Sequence, residues 1–242
     1  MSRKLAIGDL HGGLKALIQL LERINLSPKD QLIFLGDYVD GWSDSANTVT
    51  YLIELAKQNS CVFIRGNHDD LAHRWLEKDE KNEKWLEHGG QSSIDAYRNF
   101  SEDEKKAHIN FFREMFNFYK DDEDRLYVHA GFTNLHGPDF EYHETSFYWD
   151  RTLWEMALSM KDNLNPEDQF YPKRLQHFKE IYIGHTPVTR IGESEPVKKA
   201  NIWNVDTGAA FKGAISAIDV NSKEIYQSDP VFTLYPDEQG RN

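Results

Sequence analysis

Five short segments of the 242-residue chain carry side chains able to bind a metal ion or to move a proton. They are Gly8-Asp9-Leu10-His11, Gly36-Asp37-Tyr38-Val39-Asp40, Arg65-Gly66-Asn67-His68-Asp69, Val128-His129-Ala130-Gly131 and Gly184-His185-Thr186. Asp9, Asp37 and Asn67 offer oxygen, and His11, His129 and His185 offer imidazole nitrogen. A mixed oxygen and nitrogen set suits Mn²⁺, Fe or Zn²⁺ better than Ca²⁺. Six donors are too many for one catalytic ion with open positions. Two divalent metal ions sharing a carboxylate account for them, and such pairs, ~3.5–4 Å apart, commonly drive in-line displacement at phosphorus. Any one segment alone reads as a turn or a surface histidine; the argument rests on five together.

Such residues must be brought together by the elements before them. Each segment ends a short apolar run of strand type: Leu5-Ala6-Ile7, Leu32–Leu35, Cys61–Ile64, Leu126-Tyr127-Val128 and Ile181-Tyr182-Ile183. In open α/β sheets the carboxyl ends of strands line the binding crevice, so ligands just past five strands can converge. Leu14, Leu17, Ile18 and Leu21, and again Val49, Leu52, Ile53 and Ala56, have the spacing of amphipathic helices. Strand and helix in alternation predict a largely parallel sheet with right-handed crossovers. Residues 71–120 read as a helical insertion into a single domain spanning 1–242, with a break at His88-Gly89-Gly90 and a capping box at Ser101-x-x-Glu104. The tail alternates as strands at 201–205, 214–220 and 224–226, with a hairpin turn at Asn221-Ser222, expected to be antiparallel and to form a second sheet.

Taken in order, the five segments resemble the calcineurin-like metallophosphoesterases, and more narrowly the bacterial and phage branch of the phosphoprotein phosphatase family. The resemblance runs from Asp9 to Asp206-Thr207-Gly208. It implies an α/β fold, a β-sandwich flanked by helices in αββα layers. It puts Asp9, His11 and Asp37 on one metal and Asp37, Asn67, His129 and His185 on the other, with Asp37 as the bridge. Two cations, Mn²⁺ foremost, would flank a hydroxide that attacks the phosphoryl group in line. His68 is implied as the general acid that protonates the departing oxygen, and Asp40 as the partner that fixes its tautomer. Asp69 stands where many relatives have glutamate, and supporting work is expected of it.

The match fails at one place. Many relatives have Arg-Gly directly after the segment corresponding to Gly36–Asp40, and that arginine clamps the substrate phosphate; here the residues are Gly41-Trp42. Arg151 in Tyr148-Trp149-Asp150-Arg151, or Arg65, is expected to replace it, since a guanidinium grips phosphate in bidentate fashion. For Arg65 a structural ion pair is the alternative. Trp42 and the cluster Phe111, Phe112, Met115, Phe116, Phe118 and Tyr119 read as packing, and Cys61 as a small buried hydrophobe. His73, His88, His108, His136, His143 and His177 read as solvated, and the acidic runs 102–104 and 121–124 as solvated faces or a loop and not as ion sites.

Composition sets the outer limits. The 28 Lys+Arg against 40 Asp+Glu give a net charge of −12, which disfavours nucleic acid and anionic membrane as partners. One cysteine excludes an internal disulfide framework, and no apolar run reaches the ~20 residues of a membrane helix. A cytoplasmic chain is expected. The expected activity is hydrolysis of phosphomonoesters, as a serine/threonine protein phosphatase that also takes tyrosine phosphate, acting on a phosphoprotein or small phosphoester. The alternative is a nucleotide or diadenosine tetraphosphate hydrolase. A non-catalytic scaffold is disfavoured because His68 and all six ligand positions are present.

Overall fold

The computed structural model of the chain describes residues 2–161 and 164–241. Its first half runs β1 (Lys4–Ile7), α1 (Leu14–Ile24), β2 (Gln31–Phe34), α2 (Ser45–Leu55), β3 (Ser60–Phe63), α3 (Asn67–Lys78), α4 (Glu83–Trp85), α5 (Gln91–Ala96) and α6 (Glu102–Arg113). The second half runs β4 (Phe118–Lys120), β5 (Arg125–Val128), α7 (Ser146–Trp149), α8 (Thr152–Ser159), α9 (Lys173–Gln176), β6 (Glu180–Ile183), β7 (Val197–Lys199), β8 (Ile202–Asn204), β9 (Ser216–Asp219), β10 (Ile225–Gln227) and α10 (Val231–Leu234).

Two mixed sheets result, in the orders β10-β9-β1-β2-β3 and β4-β5-β6-β8-β7. Strands β1, β2 and β3 are mutually parallel, and so are β5, β6 and β8, while β4, β7, β9 and β10 pair antiparallel. The strand–helix alternation expected of the first three apolar runs gives the parallel β1, β2 and β3, and the other two runs lie parallel as β5 and β6 in the second layer of the expected sandwich.

Alternation of side chains explains the layering. In β1, Leu5 and Ile7 face a core shared with α1 and α2, whereas Ala6 faces the opposite sheet. In β5 and β6, Leu126, Val128, Ile181 and Ile183 face α8 and α9, whereas Tyr127 and Tyr182 point inward to the first sheet. These two tyrosine rings stack at 5.1 Å. Both faces of each central strand are buried, so the runs read as continuously apolar and the αββα arrangement follows.

The tail departs from expectation. β8 extends the second sheet parallel to β6, but β9 and β10 join the first sheet, β9 antiparallel to β1 and β10 antiparallel to β9. Ala217 packs on the helical side and Ile218 between the sheets, so β9 is needed to cover both faces of the first sheet's edge.

The insertion is helical from Asn67 to Arg113, with the kink at His88-Gly89 and the Ser101–Glu104 capping box both present. Its far boundary differs, because Phe118 and Tyr119 pair across to Val128 and Tyr127 instead of continuing α6. Sheet pairing overrides the helical spacing there. The run 121–124 is the loop expected as one alternative, but Asp121 within it is not solvated: it is buried and accepts from Arg125 and Lys4. It closes the β4–β5 turn by accepting the backbone N–H groups of Glu123 and Arg125. Among the described residues, no helix is long and apolar enough to cross a membrane.

Candidate active site

The segments that follow β1, β2, β3, β5 and β6 meet at one end of the two sheets. Asp9, His11, Asp37, Asn67, His129 and His185 come together there, none of them more than 8 % exposed. His11, Asp37 and His185 have φ between 50 and 68°, as does Asp40. Non-glycine residues seldom take this left-handed conformation, and such strain gathers where a site demands a particular aim. Close approach also needs Gly184: a side chain there would collide with the Asp9 carboxylate, which instead accepts the His185 N–H at 3.2 Å.

Backbone contacts fix the tautomers of two histidines. His11 Nδ1 lies 2.8 Å from the Asp40 carbonyl and His129 Nδ1 lies 2.8 Å from the Leu35 carbonyl, so each Nδ1–H donates and each Nε2 is turned into the site. Those Nε2 atoms face Asp37 Oδ2 at 3.6 Å and 3.4 Å, and His11 Nε2 also faces Asp9 Oδ2 at 3.8 Å. Asn67 Oδ1 lies 2.9 Å from His185 Nδ1 and 3.3 Å from His129 Nε2. The Asn67 oxygen thus accepts from the two imidazoles, and His185 Nε2 is buried with no hydrogen-bond partner among the described residues.

Two donor groups can be drawn, His11 with Asp37 and His68, and Asp37 with His129 and His185; Asp37 belongs to both. This donor chemistry fits divalent cations. Electrostatics agree. Burial and then the charge of Asp206 drive the Asp9 carboxyl well above its usual range, and burial lifts Asp206 to about 6. Burial resists a charge on His129, yet Asp37 overrides it and holds that imidazole up to about 10.

His68 sits at the start of α3. Its Nδ1 lies 2.7 Å from Asp40 Oδ2, which also accepts from Trp85 Nε1 at 2.6 Å, while Ser93 Oγ donates to Asp40 Oδ1. With Nδ1 engaged, Nε2 is left for the cleft, where His68 forms part of the wall. Asp69 holds the neighbouring backbone: its carboxylate accepts from the N–H groups of Asp37, Tyr38 and Gly66, each at 2.8 Å. That is the supporting work expected of it.

The cleft has a volume of about 980 Å³. Arg151 lines it, joined by two arginines that the sequence reading did not single out, Arg190 and Arg241. Burial, then the charges of Arg190 and Arg241, lower the pKa of the Arg151 guanidinium. Asp206, also unpredicted, follows β8 as the candidate ligands follow their strands, and the same rule would have found it. Trp85, Trp149 and Phe211 supply aromatic surface. Arg65 is not part of this wall. Its Nη2 donates to the Phe112 carbonyl at 2.8 Å and its Nη1 lies 4.0 Å from Asp70, which is the structural alternative considered for it.

His108 is a further correction. It is 2 % exposed, and its ring bridges Tyr97 Oη (2.8 Å) and Thr50 Oγ1 (3.1 Å). Trp42 is packing, as expected, buried and stacked on Tyr235 at 5.4 Å.

The profile of the family described as calcineurin-like phosphoesterase matches residues 2–205. This chain belongs to that family. It is a hydrolase acting on phosphoesters. Along most of its length it is similar to bis(5'-nucleosyl)-tetraphosphatase PrpE (asymmetrical) of Oceanobacillus iheyensis, 25% identical over 233 residues that cover 90% of this chain and 88% of the relative. Among solved structures, a protein provisionally described as a diadenosine tetraphosphatase superposes with a TM-score of 0.63 at 18% identity, covering 93% of this chain and 92% of the other. A protein serine/threonine phosphatase from Saccharomyces cerevisiae gives the same TM-score at 14% identity, covering 94% and 80%. Identities this low speak to the fold alone. The narrower assignment to the phosphoprotein phosphatases is not carried by the relative named above that matches along the chain, which is a tetraphosphatase.

Proposed function

We propose that this hydrolase cleaves dinucleoside polyphosphates, with diadenosine tetraphosphate as the representative substrate. The observation that carries the reading is the near full-length similarity to bis(5'-nucleosyl)-tetraphosphatases. The cleft supports it. Three guanidiniums, Arg151, Arg190 and Arg241, are more than a single phosphate needs and suit a chain of phosphates, and Trp149 and Phe211 offer ring faces against which a base can stack.

Asp9, His11 and Asp37 would hold one divalent ion, and Asp37, Asn67, His129 and His185 a second, with Mn²⁺ the best match to the donor set. When bound, the pair supplies Lewis-acid polarisation of the phosphoryl oxygens and a water of lowered pKa. Asp40 fixes His68 with Nδ1–H toward itself, so protonated His68 presents Nε2–H to the departing phosphate oxygen. Trp85 and Ser93 share the Asp40 carboxylate and restrict its rotation. Arg151 neutralises phosphoryl charge as substrate enters.

Parallel kinetics on diadenosine tetraphosphate and on a phosphoserine peptide, with Mn²⁺ present, test the reading. The expected result is a kcat/KM at least tenfold higher for the dinucleotide. A preference for the phosphopeptide would replace it with the protein phosphatase alternative.

A further inference from the structure

Directly after Asp40 comes Gly41, so the turn that holds the His68 partner offers no side chain of its own at that point. The room is taken by a residue two hundred positions away. A Cβ added at Gly41 would stand 3.5 Å from Arg241 Cγ, and one added at Gly89 would stand 3.0 Å from the same atom. The aliphatic stem of Arg241 therefore lies across two stretches of bare backbone, one from the loop after β2 and one from the kink before α5. Its guanidinium carbon is 5.6 Å from the centre of the Phe211 ring, and the residue lines the cleft with His11, His68 and Arg151.

The segment that delivers it is firmly tied down. Tyr235 stacks on Trp42 and donates to Asp44 at 2.8 Å. The Glu238 carboxylate accepts from the N–H of Ser43 at 2.9 Å and from its hydroxyl at 2.6 Å. The N–H of Arg241 itself donates to the Ala210 carbonyl at 2.8 Å. Against that background one atom stands out: Arg241 Nε is buried and has no hydrogen-bond partner among the described residues. A buried guanidinium N–H left unpaired is costly, and the arginines on the same wall cannot accept from it. An anion in the cleft can.

We propose that Arg241 is a substrate-binding residue whose guanidinium grips phosphoryl oxygens beside His11, in the role expected of an arginine at position 41. The inference rests on the reading above for its dinucleoside substrate, but for the phosphate group itself only on the cleft.

The test uses the full chain loaded with Mn²⁺, as Arg241→Ala and Arg241→Lys. Inorganic phosphate is the probe, measured both as a competitive inhibitor of aryl phosphate hydrolysis and by calorimetric binding, alongside kcat and KM for diadenosine tetraphosphate. In Arg241→Ala, the inhibition constant for phosphate and the KM should rise about ten- to hundredfold with a smaller change in kcat, because a charge-assisted contact is lost. Arg241→Lys should fall between, keeping the charge without the fork. Unchanged phosphate affinity in Arg241→Ala overturns the proposal; if that variant does not fold, unchanged affinity in Arg241→Lys does so. Weakened phosphate binding in an enzyme that does not favour dinucleotides upholds the clamp and removes only the dinucleoside reading.

Discussion

His68 is the residue on which the proposed chemistry turns, because it lines the cleft while its Nδ1 is held by the buried Asp40 carboxylate. His68→Asn keeps a polar side chain of similar reach but has no proton to give at neutral pH, so kcat should fall about 10²–10⁴-fold with metal content and melting temperature nearly unchanged. Steady-state rates paired with metal analysis decide it, and a variant retaining more than a tenth of wild-type turnover would sink the assignment. The ligand-type residues were legible in the sequence because each stands directly after an apolar run, and sequence alone reveals that juxtaposition. Asp206 obeys the same rule, but its strand was read as part of an antiparallel tail. Arg241 had no such signal, since only tertiary packing against Gly41 and Gly89 brings it to the site.

At the scale of elements, the helical insertion does more than cover the cleft. Trp85 and Ser93 reach from it to Asp40, so its placement sets the orientation of His68. What holds its helices to one another is legible only in the structure: Tyr97, after α5, donates to His108 Nδ1 on α6, His108 Nε2–H donates to Thr50 on α2, and the Thr50 hydroxyl donates to the Ala46 carbonyl. In sequence His108 is one histidine in a charged helix, and charge patterning pointed it toward solvent. Burial lowers its pKa from 6.5 to about 4. The unfolded chain binds the proton that the folded chain refuses, so this group's contribution is fully present above about pH 6.5, shrinks as pH falls through that value, and stops changing below about pH 4. Between pH 7 and pH 5 the loss should be about 2 kcal/mol. Urea unfolding at both values, compared with His108→Gln, isolates it: the variant should lose less stability on acidification than the wild type. Equal losses would show that this imidazole is not the titrating group.

Across the whole molecule, the two ends of the sandwich have opposite jobs. At the amino ends of β1, β5 and β6, Lys4, Arg125, Asp121 and Glu180 pair their charges and close the sheets. At the carboxyl ends, Asp9, Asp37 and Asn67 from the first sheet face His129 and His185 from the second, and burial together with the charge of Asp206 drives the Asp9 carboxyl well above its usual range. The chain's net charge of −12 sharpens the point, since a polyanionic substrate must approach a predominantly acidic protein. Divalent ions would answer both problems, and they would be held by donors from both sheets at once. Such ions bind the folded chain in preference to the unfolded one, so Mn²⁺ at a hundredfold excess over its dissociation constant should add about 2.7 kcal/mol. For a chain of this length that corresponds to a rise in melting temperature of roughly 5–10 °C. Calorimetric scans with and without Mn²⁺ should show that rise, chelator should reverse it, and His129→Ala and Asp37→Asn should each remove most of it, although each lies in a different stretch of sequence. His88→Ala, on the exposed rim of the same cleft, should leave it intact. A melting temperature indifferent to Mn²⁺ and chelator alike would mean that the sheets are not joined through metal, and the two-ion reading of the site would fall with it.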